Sequence, residues 1–420
     1  MRLSLAPPVA ARMEMLFLYA FIIALPVAEA PKSVFLALYA AQWIYNRFPS
    51  HQFGGPWKLW DSTLLALPIA TFLSIAFSGL PGVSWTSGLD TVSYAVLGLL
   101  ICRAGYGMRQ VAGIYATLLI STLLALGYAN WELYVTQARQ HLEFHSVGFF
   151  LHTSIYLSIV TLAVLGALIY YRPLGVLRRL FLGVILLWFA WSVFQMESRL
   201  TAGLLVLGAL LTGLAYPSPP PRFRILFVAG LALLITTSIL VGNPALEKSI
   251  SIHHSASETF LNGREHLWPG AITAWLRYPW FGIGVDNFSA LTTEQVLQWV
   301  HAGYRLFDYS RYLHFSHAHS LYLNTLAERG LAGLLPLLLL LFLSGRLLWR
   351  HRPLHSPDPL SRTLWAGALG AWFITTLGGL FNTTLHHEHA LLTLVLIGLF
   401  KGWTLQLGQG RDEDTVGEVS

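Results

Sequence analysis

The sequence predicts an all-α, polytopic integral membrane protein with about twelve transmembrane helices and one large loop on one face. Three observations carry this. The chain of 420 residues is 55% hydrophobic and only 11% charged, with a mean hydropathy of +0.57. Apolar runs of about 17–25 residues recur along nearly its whole length, which is the length a helix needs to cross a bilayer core. The short alternating segments of a membrane β-barrel are missing. The single cysteine, Cys102, rules out a disulfide within the chain. The net charge of +6 is ordinary for a membrane protein with basic loops and gives no ground for nucleic acid as a partner.

Spans are expected near 13–28, 32–47, 62–80, 88–105, 109–128, 148–171, 175–195, 200–216, 223–242, 320–349, 362–382 and 389–407. An even number puts both termini on one side. The loops on that side carry Arg2, Arg12, Arg47, Arg103, Arg178, Arg179, Arg350 and Lys401 among others. The short loops on the other side carry only Lys32, Arg139 and Arg199. Positive-inside bias then puts both termini in the cytoplasm. Arg2 and Arg12, an apolar core and Ala28-Glu29-Ala30 resemble a signal peptide. Pro31 directly after that site disfavours cleavage, so an uncleaved first helix is expected.

The chain therefore divides into residues 1–242 with nine spans, a large outer loop at 243–318, residues 319–407 with three more spans, and a tail at 408–420. Loops of about 75 residues without function are uncommon, so this one is expected to be a partly helical subdomain. The tail, ending RDEDTVGEVS, is expected to be disordered and cytoplasmic. With sides assigned, only His51, His351 and His355 of the 16 histidines are cytoplasmic. The others gather on the outer face, with Arg264, Arg277, Arg305, Arg311 and Arg329. Such a face can hold phosphate and move protons.

The densest part of that face is HFSHAHSLYLNTLAERGLAG, His314 to Gly333. His319-Ser320, nine residues, then Gly330-Leu331-Ala332-Gly333 fits the pattern His-[Asn/Ser/Gln]-x9-Gly-x-x-Gly. It resembles the signature of the bacterial O-antigen ligases, within the wider family of O-antigen polymerases and ligases. NGREHLW and YPWFGIGVDNF, residues 262–268 and 278–288, resemble the Gly-Arg…Trp…Pro…Gly-x-Gly segment of that family's large periplasmic loop. Ser198-Arg199-Leu200 resembles its helix-end arginine. Ser320 departs from the asparagine of many relatives.

This resemblance implies a reaction. A finished glycan would pass from undecaprenyl diphosphate to lipid A–core oligosaccharide at the periplasmic face of the bacterial inner membrane. The enzyme would be a metal-independent, inverting membrane glycosyltransferase without a cofactor. Membrane lipid is the expected surrounding.

The residues suit that chemistry. A lipid diphosphate leaves with charge building on its oxygens, so fixed positive charge is needed there. Arginine stays charged and binds phosphate with a planar fork. Arg264 and Arg199 are the candidates, with Arg277 and Arg305 as weaker substrate contacts by location. The acceptor hydroxyl needs a base, a role worth typically 10²–10⁴-fold, and histidine is the usual choice. His319 is expected to be that base at the start of a helix, with His317 helping to orient substrate. Residues 319, 323, 326, 330 and 333 share one face of a continuous helix, so Gly330 and Gly333 are expected to admit a neighbouring helix closely. Trp268 offers a flat face to a sugar ring.

No metal is expected. Asp412 and Asp414, the one Asp-x-Asp pair, fall in the cytoplasmic tail. His386-His387-Glu388-His389 could in principle bind zinc, but three imidazoles within four residues converge only with strain. No phosphate-binding Gly-rich loop follows a strand. Three other readings remain: an O-antigen polymerase, a protein O-oligosaccharyltransferase of the same family, and a polyprenyl-linked glycan transporter. A transporter predicts internal repeats and midplane charges, and neither is evident.

Overall fold

The computed structural model describes residues 7–51, 53–80, 85–171, 175–196, 198–214, 230, 264–304, 317–353 and 358–417. In chain order its named helices are α1 (Pro7–Ala24), α2 (Glu29–Arg47), α3 (Leu59–Ala76), α4 (Leu89–Arg103), α5 (Met108–Asn130), α6 (Phe150–Tyr170), α7 (Val176–Gln195) and α8 (Arg199–Leu214). Then follow α9 (Arg264–Arg277), α10 (Thr293–Trp299), α11 (Leu321–Arg350), α12 (Pro359–Gly378) and α13 (His387–Gly417). The described residues contain no strand beyond an isolated bridge between Phe144 and Gly148.

Eleven of the twelve expected spans coincide with one of these helices; the twelfth, 223–242, lies outside the described residues. Among the described residues seven helices are long and apolar enough to cross a membrane: α3, α4 with the 3₁₀ turn before it, α5 with its π-helical end, α6, α7, α11 and α13. α1, α2, α8 and α12 fall short of that standard by length or composition. α2, for example, carries Glu29, Lys32 and Arg47.

α6 and α13 form the centre. Their apolar windows are 83% and 72% buried, against 28% for α7, which is peripheral. Helices close against α6 through small residues. A Cβ on Gly166 would meet that of Ala366 at 2.6 Å, and a Cβ on Gly370 would meet Leu162 at the same distance. Between membrane helices such close approach replaces the hydrophobic drive available in water. α4 packs along α13, α3 along α11, and α9 lies against α11.

Two polar layers mark opposite ends of this bundle. At one end Asp61, fully buried, accepts from Lys401 Nζ at 2.9 Å and Arg103 Nη2 at 3.2 Å. Beside it Glu14 accepts from Arg47 at 2.8 Å, Asn46 at 2.7 Å and Tyr106 at 3.0 Å. Arg47, Arg103 and Lys401, expected as loop charges, are therefore helix residues consumed in buried ion pairs. Breaking such a pair leaves an uncompensated buried charge and costs about 3–5 kcal/mol. Lys401→Met is expected to lower the unfolding midpoint in detergent accordingly, and the Asp61→Asn/Lys401→Met double variant is expected to recover part of it. Equal losses in the single and double variants would mean that the pair is not coupled.

Two expectations need correction here. Residues 408–417, expected as a disordered tail, continue α13 to Gly417; no proline interrupts the helix past Lys401. The segment 386–389, expected as a loop, supplies the first turn of α13 from His387.

Candidate functional site

The other end of the bundle holds most of the described histidines, and its geometry starts from a broken helix. α11 is not continuous. Gly330 sits at φ 59°, ψ −157°, where the helix is interrupted, a region of backbone space that is essentially glycine's alone. The turn after α9 fills the gap. Ile283 N donates to Ala327 O at 2.9 Å and Gly284 N to Glu328 O at 3.0 Å. In return Leu331 N donates to Pro279 O at 2.8 Å and Ala332 N to Trp280 O at 3.0 Å. Ser74 Oγ adds a bond to Glu328 O at 2.6 Å. Irregular backbone at membrane depth is tolerated when its groups are satisfied in this way. The YPWFGIG segment and the ERGLA segment thus form one unit. Gly330 admits a loop, not the neighbouring helix that its spacing suggested. Gly333 faces the stem of Arg329 in its own helix.

α11 begins at Leu321, with Ser320 as its N-cap: Ser320 Oγ accepts from Leu323 N at 3.4 Å. Serine and asparagine are both strong N-caps, which gives the departure at this position a physical reason. The same hydroxyl donates to Gly379 O at 3.3 Å, and Leu321 N reaches Gly379 O and Asn382 O at 2.8 and 3.0 Å. The start of α11 is therefore tied to the α12–α13 turn. His319 stands just before the helix, at φ 47°. Left-handed backbone is uncommon for residues other than glycine. Asp286 at φ 62° and His387 at φ 45° share that conformation and border the same region.

Around His319 the histidines form a chain. The rings of His317 and His319 are 4.1 Å apart, those of His152 and His317 6.3 Å, and His152 stacks on His389 at 5.2 Å. Arg264, first residue of α9, donates from Nε to Phe381 O at 2.9 Å, which orients its guanidinium plane over the same turn. Trp268, one helical turn on, packs near the Phe381 ring at 6.4 Å. Burial, then the charges of His317, Arg264 and His152, push His319 down to about 3. Burial and Arg264 lower His317 as well, and burial with His387 and His152 holds His386 well below the usual histidine range. Near neutral pH the cluster is a set of neutral imidazoles beside a fixed cation.

A second group adjoins it. Asp90, in the first turn of α4, accepts from His387 Nδ1 at 2.9 Å. Donor atoms of Asp90, His386 and His387 all lie within 4.8 Å of one another, an arrangement able to hold a metal ion. His389 is not part of this group, so two imidazoles of the 386–389 segment meet Asp90 rather than three. Lys32 makes a buried pair with Glu388, which also accepts from Ser146 at 3.0 Å. Asp90, His386 and His387 border a cavity of about 380 Å³.

Sequence reading thus brought together His319, His317, Arg264 and Trp268. Arg199 opens α8, whose Thr201 accepts from Ser154 of α6 at 3.1 Å, two residues beyond His152. It is not among the charges acting on His319. Arg277 lies at the far end of α9 over Tyr278, at 5.2 Å, and a 14-residue helix spans about 20 Å. Arg305 lies outside the described residues. Sequence reading missed His152 and Asp90 as site residues, and placed Arg329 on the outer face without giving it a role. All three lie within apolar helices, and ionisable residues there are a functional signal by themselves.

Comparison with curated proteins returns no match. A family model described as O-antigen ligase matches residues 182–338, a stretch that contains Arg199, α9, the 279–284 turn, His319 and the break at Gly330. That match, and the motifs that the fold joins into one unit, make the 182–338 segment similar to the O-antigen ligase family.

Proposed function

We propose that the protein is an O-antigen ligase, which transfers O-antigen glycan from undecaprenyl diphosphate to lipid A–core oligosaccharide at the periplasmic face of the inner membrane. The observation that carries this is the cluster of His319, His317 and Arg264 at one end of the bundle, built from the family-matched segment. Arg264 holds the diphosphate and balances the charge that grows on it as the glycosidic bond breaks. Arg199, at the start of α8, is the second arginine assigned to the diphosphate. His319 takes the proton of the acceptor hydroxyl as that oxygen attacks the anomeric carbon. The leaving diphosphate departs with the bonding pair, its growing charge met by the guanidinium of Arg264 in place of a metal, and the single displacement inverts the carbon. His317 orients the site.

A neutral imidazole suits the base role, and the depressed His319 value has a consequence. The bound diphosphate brings negative charge next to His319, which favours the imidazolium and raises its pKa. The kcat/KM profile reports the free enzyme and the kcat profile the complex. The acid limb of kcat is therefore expected at higher pH than that of kcat/KM, where His319 leaves the range above pH 5 flat. Coincident acid limbs near pH 6.5 would contradict this account of the cluster.

The reading is tested by the lipopolysaccharide banding of a host lacking the protein. Bare core, restored to a ladder by the wild-type chain, supports ligation. Core bearing a single repeat makes the protein a polymerase, the second reading that the similarity of residues 182–338 supports.

A further inference from the structure

The cavity beside the histidine chain has a chemistry of its own. Its walls carry Asp90, Asp286 and Glu328 against one arginine, Arg329, while His387 is held by Asp90. Asn324 and several hydroxyls complete a polar lining. Two polar atoms there stand without a hydrogen bond among the described residues: Arg329 Nε, and Oγ1 of Thr383, a residue only 5% exposed. A buried polar group left unsatisfied costs about 1–3 kcal/mol. The volume, about 380 Å³, falls within the range of small-molecule sites, about 300–1,000 Å³.

We propose that this cavity is the acceptor-sugar site, and that it takes an uncharged or amino-bearing sugar ring in preference to a phosphorylated one. The proposal rests on the transferase reading above. The one fixed cation of the lining, Arg329, stands among Asp90, Asp286 and the imidazoles of His386 and His387, so a phosphate would meet the carboxylate of Asp286 where hydroxyl and ammonium groups find an acceptor. Asn324 and Arg329 supply planar donors, Asp90 and Asp286 acceptors, an array suited to vicinal hydroxyls. The basic compartment of Arg264, His317 and His319 has the opposite character. The two share a wall: His387 borders the cavity and lies 6.4 Å from His152, which lies 6.3 Å from His317. An acceptor hydroxyl projecting past that wall enters the diphosphate compartment. Arg329 lines the cavity, with Nη2 3.5 Å from Thr91 Oγ1. Glu328 faces the loop and its carboxylate accepts from the Asp286 and Phe288 amides, which fixes the strained Asp286.

The test uses the full chain in lipid nanodiscs, a saturating polyprenyl diphosphate-linked glycan donor, and lipid A–core titrated as acceptor. Asp286→Asn and Ser87→Ala are each expected to raise the acceptor KM about tenfold, the loss of one hydrogen bond to sugar, with kcat within about threefold. Glucosamine is expected to compete with the acceptor, and glucose 6-phosphate to do so only in Asp286→Asn. Unchanged KM in both variants, a fall in kcat alone, or equal competition by the two sugars in the wild type would overturn the assignment. If the wild type extends a polyprenyl-linked glycan instead, the ligase reading fails and the same titration is run against that acceptor. If it transfers to neither, the enzyme reading fails. Saturation-transfer NMR of glucosamine on wild type and Asp286→Asn then decides the cavity, equal signals refuting it.

Discussion

Replacing His319 by alanine is expected to lower glycan transfer by about 10²–10⁴-fold, the usual share of a positioned general base. The protein is expected to remain folded at wild-type level in the membrane. Fold and chemistry separate here because the helix start does not depend on the imidazole. Ser320 provides the cap, and Leu321 N holds the α12–α13 turn. The backbone at 319 is left-handed, φ 47°, and alanine there carries a strain of about 1–2 kcal/mol. His319→Asn controls for this, since asparagine visits that conformation readily. Both variants are expected to lose the lipopolysaccharide ladder to the same degree. A full ladder with either one, at normal expression, removes His319 from the chemistry. A ladder lost with alanine and kept with asparagine makes the position structural.

The parts of this site that were legible in the sequence are the parts that are contiguous. Hydropathy located eleven helices because each span is a single apolar run. His317, His319, Ser320 and Gly330 lie within one segment, and Arg264 opens the other matched motif. What the sequence could not provide was pairing across the chain. Asp90 meets His387 across almost three hundred positions, and His152 enters from the first turn of α6. Each lies within an apolar helix, where a lone ionisable residue stands out in kind but not in partner. Loop charges misled for a related reason. Arg103 and Lys401 were counted toward sidedness, although both are spent on the buried Asp61. The unbroken leucine run concealed the interruption of α11. The residues that satisfy its freed backbone groups lie about fifty positions upstream, in the 279–284 turn.

That interruption carries the second large prediction. Gly330→Ala is expected to destabilise the protein by at least about 3 kcal/mol, from backbone strain in a glycine-only region and from overpacking. The added Cβ would meet the backbone of Trp280, and Phe281 N at 2.7 Å. These atoms have nowhere to go. They are held by the exchange of hydrogen bonds between the 279–284 turn and residues 327–332, and Gly282 packs as tightly from the other side, its Cβ position 2.6 Å from Ala327 O. Relief requires the two segments to separate. That would expose four backbone bonds and free Arg329 and Asp286, so transfer is expected to fall together with stability. Gly203→Ala in α8 serves as the control, because nothing lies within 4 Å of its added Cβ. There alanine is expected to stabilise by up to about 1 kcal/mol through helix propensity alone. Thermal unfolding in detergent, with transfer measured on the same preparations, distinguishes the outcomes. If Gly330→Ala unfolds at the wild-type temperature, α11 runs straight at this point and the joint between the two motifs is not what holds the site. If it unfolds early but transfers normally below its midpoint, the joint is structural only, and the geometry of Arg329 and Asp286 does not depend on it.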